Sequence, residues 1–156
     1  MIQRAQSVYL FLVVILMSLL LIFPIATFTA ANDIQYKFFS FGLKKIVEGG
    51  SKMIISAWPL FILILGIACI SFYNIFLFQK RTTQMRLCVY NILLLIGLVI
   101  LGYYYYHFFQ KSFDFIGHVF KLAIVYPVVS IILNAMAFSG IRKDELIVKT
   151  YERLRK

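Results

Sequence analysis

The residues that could transfer protons or bind a metal lie close together in one part of the chain. Asp114, His118 and Lys121 would share a helical face if their helix began early, and His107 lies shortly before them. Imidazole and carboxylate groups are common zinc ligands and proton carriers. The competing interpretation is that these side chains are solvated at a membrane surface. We favour that interpretation, because two histidines and one aspartate at a wet interface seldom form a site.

The remaining residue types do not indicate a reaction. Cys69 and Cys88 form no C-x-x-C motif and no metal-ligand spacing. The sequence contains no Gly-rich phosphate loop and no H-E-x-x-H motif, and no Asp or Glu lies deep in an apolar run. We therefore expect a non-enzymatic protein without a cofactor.

Three asparagines are the polar residues most unusual for their surroundings. Asn74, Asn91 and Asn134 lie five to eight residues inside the cations that bound their apolar runs. At about 1.5 Å per helical residue, this places all three roughly 8–12 Å inside the same boundary. An amide in lipid needs a hydrogen-bond partner. We predict one intramembrane polar layer that fixes helix register, and the alternative is a polar vestibule open to the cytoplasm.

Composition identifies the element type that must position these residues. Hydrophobic residues make up 62% of the 156 residues and charged residues 14%, whereas a soluble domain is about half apolar and a quarter charged. This composition indicates an integral membrane protein. The net charge of +10 would suggest nucleic acid in a soluble chain. Because the cations lie outside the apolar runs, we expect membrane lipids as partners and no nucleic acid.

Stretches without charged residues predict four membrane helices, at about 8–28, 56–78, 87–108 and 117–139. The first resembles a secretory signal, with Thr29-Ala30-Ala31 as a possible cleavage site, but its apolar core is longer than usual. We expect it to be retained. The predicted fold is an all-α integral membrane protein, a four-transmembrane-helix bundle forming one domain.

Cations predict how the bundle is oriented. Ten of the 16 Lys and Arg residues lie at the termini or in the turn at 79–86, and five lie on the opposite side. Cytoplasmic loops carry the excess of positive charge, so both termini and this turn should face the cytoplasm. Trp58 and Tyr103–Tyr106 fall at the predicted outer interface, where aromatic rings are enriched.

The predicted outer loop at 29–54 contains a strand pattern. Ile34, Tyr36 and Phe38 alternate with polar residues, and the alternation then shifts by one position. This predicts a small extracytoplasmic β-hairpin, with Thr27–Thr29 pairing with Tyr36–Phe38 and a bulge at the shift. The alternative is an irregular loop on the membrane interface.

The tail at 141–156 has helical periodicity and predicts a cytoplasmic C-terminal helix, with Gly140 as a joint. We expect it to rest on the inner leaflet, to pack on the turn at 79–86, or to dock on a partner.

Four segments resemble one bacterial family: MIQRAQSVYLFLVVILM at the start, Trp58-Pro59-Leu60, RTTQMRLCVYNILLL from Arg81, and IRKDELIVKTYERLR from Ile141. This is the Bacteroidota inner-membrane family catalogued as domain of unknown function 4293. The resemblance implies a bacterial cytoplasmic membrane and four spans. It implies no activity and no site residues.

We expect an accessory or scaffold subunit of a larger membrane complex, with other integral membrane subunits as partners and export or envelope assembly as a candidate host. The alternative is a small-molecule or lipid carrier with a cavity between the helices that the asparagine layer would line. Lys80, Arg81, Gln84 and Arg86 are the predicted topology or docking residues. Any cations would serve a topology signal, so Gln84 and Arg86 make docking an open second role for this turn.

Overall fold

The computed structural model describes residues 3–30, 34–47, 50–77, 80–112 and 115–154 of the chain. Its helices are α1 (Gln3–Ile22), α2 (Trp58–Phe76), α3 (Arg81–Ser112) and α4 (Tyr126–Leu154), and a short 3-10 turn, Leu122–Val125, precedes α4. The strands are β1 (Ala26–Ala30), β2 (Gln35–Phe39), β3 (Gly42–Val47), β4 (Gly50–Ser56) and β5 (Phe115–Phe120).

Prolines account for three of the helix boundaries. Pro24 disfavours helical backbone at the residue before it, and α1 ends at Ile22. Pro59 and Pro127 are each the second residue of a helix, where the missing N–H costs nothing.

The four helices form an antiparallel bundle in which consecutive helices are neighbours and α4 closes the ring against α1. In every helix a run of buried side chains recurs in alternating steps of four and three residues. They are Gln6, Leu10, Val13, Met17 and Leu20 in α1; Leu60, Ile64, Ile67, Ser71 and Asn74 in α2; Gln84, Cys88, Asn91, Leu95 and Leu98 in α3; and Ser130, Asn134, Ala137, Ile141 and Asp144 in α4. This seven-residue repeat is the pattern of a left-handed helical bundle.

The five strands form one antiparallel sheet in the order β4-β3-β2-β1-β5. β1 and β2 pair as Thr27↔Lys37 and Phe28↔Tyr36. β5, from the connection between α3 and α4, pairs with the other side of β1. The sheet therefore ties the two connections at this end of the bundle together.

Aromatic rings fasten the sheet to the end of α3. Phe28 stacks on Tyr106 with ring centroids 5.5 Å apart, and Phe38 meets Phe109 edge-on at 5.1 Å. Phe28, Phe38 and Phe109 are all buried. We call this the sheet end of the bundle and the opposite end the polar end.

The sheet corrects the predicted fold class. The molecule is mostly helical but not all-α, and the expected small hairpin is a five-stranded sheet. The predicted antiparallel pairing of the two hairpin segments is present, but 27–29 lie opposite 35–37 rather than 36–38. The shift in alternation is not a bulge but the turn between β2 and β3, and the irregularity lies instead at Leu43/Lys44 in the pairing of β3 with β4.

Helix bounds also differ from those predicted. α1 ends before β1 rather than at residue 28. The predicted fourth helix began at 117, where the structure has β5, and α4 starts only at Tyr126. α4 then runs without a break through Gly140, so the predicted joint and separate tail helix are one continuous helix. A short apolar run fits strand and helix equally well by composition, which explains the error at β5.

Within the described part of the chain, three helical segments are long and apolar enough to span a membrane: Trp58–Phe76, Arg81–Ser112 and Leu122–Ile147. Gln6–Ile22 is apolar but shorter. Their outward faces are apolar too, as Ile62, Leu93 and Ile132 show, each more than half exposed. Such faces fit a lipid environment.

Candidate polar core and apolar cavity

The polar-end half of the bundle encloses a group of buried polar side chains contributed by all four helices. We call this group the polar core; it comprises Gln6, Ser71, Asn74, Gln84, Asn91, Ser130, Asn134 and Asp144. All eight occupy the heptad positions described above. Helix packing therefore aims them at one another rather than at lipid.

Asn91 lies at the centre of the polar core. Its Nδ2 donates hydrogen bonds to Ser71 Oγ at 2.7 Å and to Asn134 Oδ1 at 3.2 Å. Asn134 in turn donates to the backbone carbonyl of Ser130 at 3.1 Å. One amide thus connects α2, α3 and α4, and the structure brings two of the three predicted asparagines into direct contact.

Asn74 lies one turn nearer the polar end and bonds to different partners. Its Nδ2 donates to Cys88 Sγ at 3.2 Å, and its backbone carbonyl accepts a bond from Gln84 Nε2 at 3.3 Å. Asn74 is in the last turn of α2, and the same carbonyl also accepts a hydrogen bond from the backbone N–H of Leu77, the C-cap residue, at 3.3 Å. Gln84 therefore ties the start of α3 to the end of α2.

A second group joins α1 to the far part of α4. Gln6 Nε2 donates to Asp144 Oδ2 at 2.7 Å, and Arg81 Nη1 donates to the Asp144 carbonyl at 3.2 Å. Gly140 makes room for this contact, since a Cβ there would lie 3.1 Å from Cγ of Gln6. The first turns of the predicted tail are thus part of the bundle and pack on the start of α3.

The four predicted topology or docking residues occupy different environments. Lys80 and Arg86 are exposed, Arg81 is half-buried, and Gln84 is buried with 4% of its surface exposed. Only Lys80 precedes α3, and the other three are helical. Lys80 and Arg86 are therefore available to lipid or a partner, whereas Gln84 is occupied inside the bundle.

The polar core is neutral over most of its length. Among the described residues, Asn74 Oδ1, Asn91 Oδ1 and Ser130 Oγ are buried without a hydrogen-bond partner. Amides and hydroxyls do not titrate near neutral pH, so these groups act as hydrogen-bond donors and acceptors.

The two histidines considered for metal binding lie on different elements. His118 lies on β5 and its ring meets Tyr106 at 5.9 Å, whereas His107 is on α3 and meets Tyr103 at 5.6 Å. Asp114 lies outside the described residues. The proposed shared helical face is therefore wrong, and within the described ranges no three His, Cys, Asp or Glu side chains group as a metal site.

An apolar cavity of about 200 Å³ lies at the sheet end. Leu20, Leu60 and Leu98 line its inner part, Ala26 and Phe38 lie on the sheet side, and Phe120 and Ala123 lie towards α4. The only side-chain polar atoms among the lining residues are the hydroxyls of Tyr103 and Tyr106. None of the three asparagines that the sequence suggested as its lining is among the lining residues.

Sequence reasoning missed Gln6, Ser71, Ser130 and Asp144 as members of the polar core. The signal was present, because each of the four lies three or four residues from a buried neighbour on the same helix. The cavity carried no comparable signal, since lipid-facing and cavity-facing apolar residues look alike in sequence.

The fold and these two features together define a helical protein with membrane-compatible surfaces, a buried amide network and a sheet covering one end. The chain belongs to the family described as Domain of unknown function (DUF4293), whose model matches residues 2–154. No curated protein matches the chain in sequence.

Proposed function

We propose that the protein is a four-pass protein of the bacterial cytoplasmic membrane, with both termini and the polar end in the cytoplasm and the sheet outside. The excess of Lys and Arg at the polar end supports this orientation. Trp58, Tyr103 and Tyr104 support it from the other end, because all three are strongly exposed there and aromatic rings favour the membrane interface. In this placement α1 spans the membrane in addition to the three longer segments, through its apolar segment Gln6–Ile22.

We further propose that it is a non-enzymatic accessory or scaffold subunit of a larger membrane complex, with export or envelope assembly as the host process. The observation that carries this proposal is that β4 is an edge strand of the sheet. Its side chains at 51–54 are exposed, and no strand in the described part of the chain pairs with its outer edge. An open strand edge is a template for a partner strand.

Charge indicates the chemistry of that partner. Lys52 on β4 stands opposite Lys45 on β3, and Met53 stands opposite Lys44. A partner strand beside β4 would therefore be favoured if it carried Asp or Glu. A basic partner strand would be disfavoured, because its cations would lie beside the lysine on β4.

Site-specific photocrosslinking in native membranes tests the subunit proposal. A photoreactive residue at Met53 should give one discrete adduct with a membrane or envelope protein, through an extended acidic segment, and mild-detergent purification should recover the same protein stoichiometrically. Gln35, exposed on the interior strand β2, is the matched control and should give no such adduct. Equal adducts at both positions, or none at Met53, would contradict the proposal.

The apolar cavity favours a second candidate function, lipid binding. Most lipid or small-molecule sites are concave and mostly apolar, and the cavity at the sheet end has this character. The asparagines do not line it, so the lipid function does not depend on the polar core. Recovery of a lone monomer with bound lipid would favour this candidate over the subunit.

A further inference from the structure

The cavity at the sheet end opens sideways, between α3 and the segment that leads into α4. Val99 and Tyr103 on one wall and Phe120 and Ile124 on the other are each at least 40% exposed. Gly102 lies on the α3 wall, and nothing lies within 4 Å of the position its Cβ would take. The mouth therefore faces the surroundings of the helices rather than the space beyond the sheet.

The surroundings at the mouth are apolar. Ile96 and Ile100 are exposed on α3 just below it, and Val128 is exposed on α4. An apolar cavity of this size favours a hydrocarbon over water. In the membrane placement proposed above, the molecules that reach the mouth are lipid chains.

The rim of the mouth carries a positive charge. Lys121 is exposed and lies between Phe120 and Ile124, two residues of the cavity lining. Its backbone N–H donates a hydrogen bond to the carbonyl of Ile25, another lining residue, at 3.0 Å. This bond fixes the lysine backbone at the entrance, while the long side chain can reach towards the interface.

We propose that the cavity binds one acyl chain of an anionic phospholipid from the leaflet at the sheet end, with the lipid phosphate at Lys121. The chain enters between α3 and the 3-10 turn and lies against Leu98, Ala123 and the Tyr106 ring. This inference rests on the membrane placement in the proposed function and on its second candidate, and not on any protein partner.

Two substitutions separate the chain-binding and headgroup parts of the proposal. Gly102→Leu places a branched side chain in the mouth. Its matched control is Gly97→Leu, on the same helix, where nothing lies within 4 Å of a Cβ and the residue does not line the cavity. Lys121→Gln removes the charge at the rim and leaves the cavity intact.

Native mass spectrometry of the full-length chain measures the outcome, with phosphatidylglycerol and phosphatidylethanolamine titrated separately after delipidation. We expect one tightly bound phosphatidylglycerol in the original protein and in Gly97→Leu. Gly102→Leu should weaken its binding about tenfold or more, the factor for losing two buried methylene groups. Lys121→Gln should remove a preference for phosphatidylglycerol of about fivefold, as expected for one cation near a lipid phosphate.

Equal binding by the two leucine variants would overturn the cavity as the site. An unchanged preference in Lys121→Gln would overturn the headgroup contact. Thermal unfolding of each variant identifies a folding defect. If Gly102→Leu has one, Val99→Phe, at the exposed edge of the mouth, replaces it in the same comparison.

Resistance of the chain to alkaline extraction from membranes tests the membrane placement separately. The lipid titration needs no protein partner, so it also tests the cavity independently of the subunit proposal.

Discussion

Asn91 illustrates how one side chain can specify a helical bundle in lipid. Apolar contacts alone do not select a register there, because lipid tails are as apolar as leucine. An amide that bonds to Ser71 and Asn134 does select one, since a shift of either neighbour would leave these groups unpaired in an apolar medium. Fixing the helix register is the role that the sequence analysis predicts for the layer of asparagines.

A double-mutant cycle tests this role. Asn91→Ala and Asn134→Ala should each lower the free energy of unfolding by about 1 kcal/mol, and the pair should be coupled by about 0.6 kcal/mol, the average for such bonds in membranes. Denaturant unfolding in mixed micelles measures both quantities. Val89→Ala, exposed on the same helix, should have little effect. Strictly additive substitutions would show that the two amides do not act together.

At the scale of elements, the seven-residue repeat explains why the helices form one bundle. Each helix buries a single stripe. In α1, α2 and α3 the stripe is apolar near the sheet and contains polar residues towards the opposite end, whereas in α4 Ala137 and Ile141 separate Ser130 and Asn134 from Asp144. The sheet then closes the apolar end. Its geometry depends on Gly42, which has a φ of 149° and follows the turn between β2 and β3.

Gly42→Ala should destabilise the sheet, because a Cβ there would overlap the carbonyl oxygen of Ile55 on β4 and the backbone conformation disfavours side chains. We expect a loss of about 1–3 kcal/mol, in the range of comparable backbone strain. Thermal unfolding in detergent gives the comparison. Gly117→Ala on β5 is the control, since nothing lies within 4 Å of its Cβ position. Equal effects at the two glycines would argue against this account.

At the scale of the whole molecule, the distribution of cations predicts the orientation in the membrane. Lys80 and Arg86 are exposed at the polar end, and Lys44 and Lys45 lie on the sheet. Lys44 Nζ also lies 4.6 Å from the centre of the Phe41 ring. The two pairs are thus on opposite sides of the proposed membrane.

Replacing Lys80 and Arg86 with Gln should reduce the fraction of molecules with a cytoplasmic C-terminus. The reason is that loops rich in Lys and Arg stay on the cytoplasmic side, and the replacement removes two such charges from the polar end. C-terminal reporter fusions that are active on only one side of the membrane measure this fraction. Lys44→Gln with Lys45→Gln is the matched control and should leave the fraction unchanged or raise it. A fall in both variants alike would contradict orientation by these cations.

The sequence alone determined the features that depend on local composition and period. Long apolar runs indicated the helices, alternation indicated the pairing of β1 with β2, and the asparagines stood out because an amide in lipid needs a partner. Tertiary structure decided what depends on distant neighbours. β5 pairs with a strand almost 90 residues earlier, Gln84 meets the end of the preceding helix, and Asp144 meets Gln6 across 138 residues. The cavity likewise exists only where five separate segments meet, since its apolar residues differ from lipid-facing ones in position and not in chemistry.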